Sequence, residues 1–491
     1  MAEPADNGDL AGKLDALRGA RVLVVGDLML DRYVSGTVER ISPEAPIPVL
    51  KAGSETSMLG GAGNVLRNLA ALGVRGRLVA AVGDDAAGAE VRRLLDAAAP
   101  EAARLTVQPD RPTAVKLRYL AGGQQLLRID HEVTGPLADA PAAALLATAR
   151  SELSDTDVLV LSDYGKGVLT PASIAALIEA AGAAGVPVVV DPKATDYAVY
   201  RGARVVTPNL RELEQASGRT AGSDDDTAEA AAKLAAQAGI GAVLATRSGH
   251  GMTLVEGGAD TARHLPAEAR EVYDVSGAGD TVVAVLAAAM AGGLALVDAA
   301  RLANVAAGIV VGKVGTAVAR PEELLRALHT ARLMAAESKV ASREGAGDRV
   351  AAWRRAGLSV AFTNGCFDLL HPGHVSLLTQ ARGMADRLIV GLNSDASVTR
   401  LKGAGRPVQD EAARAAVLAS LASVDLVVTF EEDTPLQLLE ALRPDVLVKG
   451  ADYTRDTVVG ADLVERHGGR VALAELAPGH STTETIRRLR R

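Results

Sequence analysis

Between Val158 and Met252 one pattern occurs four times: VLVLSDYGKG (158–167), PVVVDPK (187–193), ARVVTPNLREL (203–213) and AVLATRSGHGM (242–252). Each begins with a short Val/Leu/Ala run that reads as a buried strand. Each places Asp, Lys, Asn or Thr just past that run. The stretches between them are long enough for helices, which predicts βαβ units, a parallel sheet and an α/β, doubly wound fold. Such sheets bind ligands beyond the carboxyl ends of their strands, so the polar endings point to one shared site.

Working outward, Arg21–Gly26 (RVLVVG) reads as another buried strand, followed directly by Asp27 and Asp31. Asp27 can cap a turn; Asp31 lies in an apolar stretch and lacks that explanation. The stretch GGAGNVLRNLAALG (60–73) combines a glycine turn, an amphipathic helix and a glycine end. Its glycines would let a ligand approach the backbone, with Asn64 turned toward sugar hydroxyls. Downstream, Asp274-Val275-Ser276-Gly277-Ala278-Gly279-Asp280-Thr281 is expected to follow a β-type run (Glu271-Val272-Tyr273) and to open a helical segment from Val282 to Val297. Taken alone, that octapeptide is either a capped turn or an anion cradle with a base, Asp280, beside it. No G-x-x-x-x-G-K-[ST] occurs; Gly308–Lys313 is one residue short and lacks the hydroxyl residue, which excludes a P-loop kinase.

Composition narrows the classes further. A chain of 491 residues is too long for one core. Net charge is −8 with no long basic block, which argues against nucleic acid. The single cysteine, Cys366, suits a reducing cytoplasm, and the N-terminus does not read as a secretory signal. The apolar run 282–297 is interrupted by Gly292-Gly293 and is too short to span a membrane.

The composition turns Ala/Arg/Glu-rich after Pro321, which predicts a first domain over 1–330, a linker over 331–350 and a second domain over 351–491. The second begins with an expected strand, Leu358–Thr363, leading into NGCFDLLHPGHV (364–375). His371 and His374 could be metal ligands, but Pro372-Gly373 denies them a regular helix and no third ligand accompanies them. The other reading is a turn whose imidazoles and amides face a phosphate. Further strands are expected over Asp386–Asp395 and Asp445–Tyr453. Lys402, Arg406 and Lys449 supply cations for phosphates, and Ser481, Thr482 and Thr483 open a last helix.

The two signatures GGAGNVLRNLAALG and DVSGAGDT, in that order, resemble the ribokinase family of sugar kinases. The resemblance implies a doubly wound sheet with a small β lid near Ile47–Lys51 and Thr113–Asp130. It implies Asp280 as the base and Gly277, Ala278 and Gly279 as an anion hole. Asp31, Gly60, Gly61 and Asn64 would surround the sugar. ATP would lie against Asn209, Leu210, Arg211 and Glu212, against Thr246, Gly249 and Gly251, and against Asn304. In the second domain, TNGCFDLLHPGH, RLKGAGRP, LVKGADY and STT look like the cytidylyltransferase-like superfamily. There Asn364, Gly365, Phe367, Asp368, Lys402, Arg406, Lys449 and Ser481–Thr483 would bind ATP, in a Rossmann-like domain with His371 and His374 as catalytic groups.

Over nearly its whole length the chain resembles the bifunctional heptose-7-phosphate kinase/heptose-1-phosphate adenylyltransferases, through GDLMLDRY, RISPEAPIPV, QQLLRID, LSDYGKG, DPK and TPNLRELE. Family members carry an acidic residue where Ala404 stands and a second glycine where Ala451 stands. The resemblance implies phosphorylation of a heptose 7-phosphate at O1, followed by adenylyl transfer to the 1-phosphate. It also implies Mg²⁺ with ATP in both sites and a homodimer formed through the lid. Lys116, Arg118, Arg128, Lys166 and Lys193 are the cations available for the 7-phosphate.

Overall fold

The computed structural model describes residues 7–258, 262–268, 272–451 and 453–475. The chain divides into two units, Met1–His329 and Thr330–Arg491, each built on its own sheet.

Nine strands form the main sheet of the first unit, in the order Arg263–Leu265, Met252–Glu256, Ala242–Thr246, Val205–Val206, Val188–Asp191, Val158–Ser162, Arg21–Gly26, Arg75–Val82 and Ala103–Val107. The last seven run parallel to one another, Met252–Glu256 runs antiparallel to Ala242–Thr246, and Arg263–Leu265 pairs antiparallel with Met252–Glu256. Helices cover both faces. Val22 and Val24 pack into one core layer and Leu23 and Val25 into the other, which is why this strand reads as continuously apolar. The chain builds outward from Arg21–Gly26 in one direction and from Val158–Ser162 in the other. The crevice beyond the carboxyl ends of these two neighbours is therefore the switch point where a ligand fits.

A second, four-stranded sheet in the order Pro48–Gly61, Leu28–Ile41, Ala114–Ala121 and Gln124–His131 forms the lid. It is larger than the two stretches expected from sequence. Its first two strands have 14 residues each, buried at the end near the main sheet and exposed at the far end. Asp31 thus stands on a lid strand.

Two further expectations are corrected here. Val272 and Tyr273 are exposed and form no strand; the Tyr273 N–H donates to the Val311 carbonyl at 2.8 Å. The helical segment expected to Val297 ends at Ala291, and a new helix, Leu296–Val310, follows. Gly292-Gly293 makes the break, with Gly293 at φ +81°, a conformation that ends a helix and that side chains resist.

The second unit holds six parallel strands in the order Val340–Ala341, Leu426–Phe430, Arg387–Asn393, Val360–Gly365, Val446–Gly450 and Arg470–Ala474. The order reverses between Val360–Gly365 and Val446–Gly450, which makes a second switch point. The stretch 331–350 is not an open linker. A helix runs Pro321–Ser338, Val340–Ala341 pairs with Val427 and Val428, and Ala346 and Val350 are buried in the second unit's core. No helix among the described residues is long and apolar enough to cross a membrane.

Candidate active sites

The first site forms where helix Ala278–Ala291 starts. Its cap, Gly277, is left-handed at φ +75°, and a Cβ there would lie 2.6 Å from Asn64 Nδ2. Only glycine satisfies both conditions. The Ala278 N–H is taken by the Val275 carbonyl at 3.3 Å, whereas the N–H groups of Gly279 and Asp280 have no acceptor among the described residues. Two free amides at the positive end of a buried helix suit an anion. Asp274 fixes the approach, accepting from Ser276 N (2.9 Å) and Gly315 N (3.0 Å).

Asp280 is 3% exposed. One carboxylate oxygen accepts from the Tyr164 hydroxyl at 2.6 Å and the other from Asn64 Nδ2 at 2.8 Å. Burial pushes its pKa up to about 6, against the pull of these two hydrogen bonds and of Arg67; Asp31 pushes the same way as burial. Asn64 is fully buried on helix Ala62–Ala71 and spends one amide N–H on the Asp280 carboxylate. Asn68 extends the network, donating to the Asn64 carbonyl (3.0 Å) and accepting from Thr281 Oγ1 (3.2 Å).

Around this centre, Asp27 accepts from the backbone N–H groups of Tyr164, Lys166 and Val168, which shapes the DYGKG turn and makes Asp27 a structural residue. Asp31 is buried and paired with Arg118, and a Cβ at Gly60 would meet Asp31 Oδ2 at 2.4 Å. Gly61 begins helix Ala62–Ala71 as its cap. Lys166 pairs with Glu132 and Lys193 with Glu212. Asp191 is held well above the usual carboxylate range by burial and by the nearby Asp280, Glu212 and Asp163.

The expected nucleotide residues separate into supports and open positions. Asn209 caps helix Leu210–Ser217 in a reciprocal box with Glu212, both bonds 3.0 Å, and forms an isolated bridge with Thr246. Leu210 and Arg211 are the first residues of that helix, Arg211 being exposed. Gly249 faces open space, while Gly251 packs directly on Leu265 and Pro266. Asn304 is engaged, donating to the Pro266 carbonyl at 2.7 Å.

In the second unit His371 caps helix Pro372–Arg382, with Pro372 at the first helical position and His374 one turn in. The two imidazoles stack with centroids 3.8 Å apart, and Phe367 packs on His374 at 5.2 Å. Burial, then the neighbouring His371, lowers the His374 pKa to about 4, so the ring is neutral at pH 7 and offers an N–H. Among the described residues no group of three or more His, Cys, Asp or Glu side chains is placed to hold a metal. Lys449 donates to the Asn364 carbonyl at 3.0 Å across the switch point, and Asn364 Oδ1 is buried with no hydrogen-bond partner among the described residues. Gly365 ends the first strand of this site. Asp368 holds the loop that carries Arg406, accepting from Arg406, Val408 N and Gln409 N. Lys402 is exposed at the end of helix Asp395–Lys402. Cys366 has its thiol pKa raised by burial, in keeping with packing. Ser481, Thr482 and Thr483 lie outside the described residues.

Sequence reading missed Tyr164, Arg67 and Arg414. Tyr164 lies inside VLVLSDYGKG, and Arg67 stands three residues after Asn64 on the same helix face; both signals were present, but the contacts were not. Arg414 is fully buried, donating to the carbonyls of Gln409, Cys366 and Asn393 and to Asp395.

Residues 20–323 match the pfkB family carbohydrate kinase model and residues 362–488 the cytidylyltransferase-like model. Bifunctional protein HldE from Paramagnetospirillum magneticum is 59% identical over 482 residues, 98% of each chain. Its counterpart from Rhodospirillum rubrum is 58% identical over 98% of this chain and 97% of its own. The chain belongs to the bifunctional HldE family. Both the kinase and the nucleotidyltransferase halves of that family are present in it. Among solved structures, phosphofructokinase-2 from Escherichia coli superimposes with TM-score 0.55 at 20% identity, covering 63% of this chain and 99% of that one. Ribokinase from Arabidopsis thaliana does so at 0.51 and 21%, covering 63% and 99%. At that identity the likeness is one of fold, and it bears out the ribokinase-like α/β expectation.

Proposed function

We propose that the first unit transfers the γ-phosphoryl group of ATP to O1 of D-glycero-β-D-manno-heptose 7-phosphate, and that the second joins AMP to the heptose 1-phosphate to give ADP-heptose and pyrophosphate. The observation that carries this is Asp280, held by two donors directly beside the free amides of Gly279 and Asp280. A nucleotidyltransferase that accepts sugar 1-phosphates then gives a purpose to a kinase acting at O1.

Asp280 receives the O1 proton as that oxygen attacks phosphorus, and the bond to the ADP oxygen breaks. A pKa of about 6 leaves the carboxylate mostly ionised at pH 7 yet more basic than free aspartate. The free amides of Gly279 and Asp280, behind the glycine cap at Gly277, receive charge on the phosphoryl oxygens, and Ala278, whose N–H is taken by Val275, drops out of the anion hole. Asp31 and Gly60–Gly61 meet the sugar, and Asn209–Glu212, Thr246 and Gly249 meet the nucleotide. In the second unit the 1-phosphate oxygen attacks the α-phosphorus and pyrophosphate leaves. His371 and His374 stabilise that centre, and Lys402, Arg406 and Lys449 serve the β- and γ-phosphates. Mg²⁺ would be carried in with the triphosphate, whose charge it would offset, since no group of three or more His, Cys, Asp or Glu side chains among the described residues is placed to hold it. Exposed Ile41, Ile47, Leu126 and Leu127 on the lid support dimerisation there. A cytoplasmic location follows from the single cysteine and the use of ATP.

Mass spectrometry of products from heptose 7-phosphate and ATP tests the reading. A 1,7-bisphosphate is expected without added phosphatase, and ADP-heptose with it. Turnover of ATP without any sugar product would overturn it.

A further inference from the structure

Five cations in the first unit are candidates by sequence for the acceptor's own phosphate, and each already meets a carboxylate. Lys116 lies 3.5 Å from both Asp130 and Glu132, Arg128 2.9 Å from Asp130, and Lys193 3.1 Å from Glu212. Arg118 pairs with Asp31 and Lys166 with Glu132.

Arg67 differs from all of them. It is half-buried on helix Ala62–Ala71 and makes no hydrogen bond or ion pair among the described residues. The same helix supplies Asn64 to Asp280 and Asn68 to Thr281. Arg67 shares that face three residues past Asn64, an axial offset of about 4.5 Å. Its charge feels Asp280, Tyr33 and Asp31, so the guanidinium lies between the base and the lid strand Leu28–Ile41. That is the acceptor's side of the crevice; Asn209 and Thr246 stand on other strands. Partial burial strips some water from this cation, while its nitrogens stay accessible and have no protein partner among the described residues, so an anion there meets an open guanidinium. A planar guanidinium matches a phosphate through two parallel N–H bonds. A sugar whose O1 meets Asp280 carries its terminal phosphate several ångströms away, which an offset of one helical turn accommodates.

We infer that Arg67 binds the phosphate carried by the acceptor sugar and so makes this unit select phosphorylated sugars. This rests on the kinase reading above.

The test uses full-length Arg67→Gln and Arg67→Lys, assayed with heptose 7-phosphate and with unphosphorylated heptose, with adenylyl transfer as the folding control. Arg67→Gln is expected to raise KM for the 7-phosphate about 10- to 100-fold, leaving KM for ATP and for the unphosphorylated sugar unchanged. Arg67→Lys should fall between, keeping charge and losing the fork. At pH 8, where Asp280 stays ionised with or without Arg67, an equal fall in kcat with both acceptors would place the guanidinium on the group in transfer and overturn the assignment, as would no change. Failure of the wild-type chain to phosphorylate heptose 7-phosphate would instead count against the kinase reading. In that event binding of inorganic phosphate, measured by calorimetry with a non-hydrolysable ATP analogue present, still decides. Loss of binding in Arg67→Gln supports the inference and equal binding overturns it.

Discussion

Asp280 shows how one environment sets both reactivity and a cost in stability. Burial raises its pKa from 3.8 to about 6 even though Tyr164 and Asn64 hold the ionised form. Because the folded-state value lies above the unfolded one, the stabilising linkage is complete below about pH 4 and is lost as pH rises through about 6. At pH 8 the ionised carboxylate therefore costs up to roughly 3 kcal/mol. Asp280→Asn should abolish phosphorylation, leave adenylyl transfer near normal and melt later than wild type at pH 8, with the difference vanishing near pH 4. An Asn fits because its amide can turn its oxygen to Asn64 and its nitrogen to the Tyr164 oxygen. The wild-type kcat/KM of the kinase should fall below pH about 6 as the base is protonated. A melting difference that ignores pH, or a rate flat down to pH 5, would refute this account.

At the scale of elements, Arg414 ties together three segments that meet at the second site. Its guanidinium joins the end of strand Arg387–Asn393, the loop before His371 and the loop ending at Gln409, with no side-chain exposure. Arg414→Leu leaves three carbonyls, the buried one of Asn393 among them, short of a donor, which should cost about 2–4 kcal/mol in the second unit. Differential calorimetry should show one transition lowered and the other unmoved. The KM for ATP in adenylyl transfer should rise, because the loop bearing Arg406 loses its anchor, while kinase constants stay put. A change in both activities would contradict it. The strand ends at Ser162, Asp191, Val206 and Thr246 were legible because doubly covered strands are short apolar runs that stop where the sheet edge meets solvent. The lid was legible only in part. Leu28–Ile41 is buried at one end and exposed at the other, so no single period marks its 14 residues. The bond between Asn64 and Asp280 spans 216 positions, and no local signal encodes such a contact. For the same reason the hold of Asn64 on the Asp280 carboxylate was not legible beside its glycine turn.

For the molecule as a whole, the two switch points belong to two sheets in two units, and the reactions proposed for them are not consecutive. The kinase product carries phosphates at both ends, and the transferase acceptor carries one. A phosphatase must act between them, so the bisphosphate has to leave the chain that made it. Linkage in one polypeptide then fixes equal amounts of the two activities without passing an intermediate between sites. Chains bearing Asp280→Asn should keep adenylyl transfer only, and chains bearing His374→Ala phosphorylation only. An equal mixture of the two, given heptose 7-phosphate, ATP and a phosphatase, should make ADP-heptose at about half the rate of the same total amount of wild-type chain, since each reaction is carried by half the chains. Mass spectrometry of the product over time gives the rate. If each variant retains its one activity but the mixture makes no ADP-heptose, the intermediate does not travel freely between chains, and the two sites do not act independently.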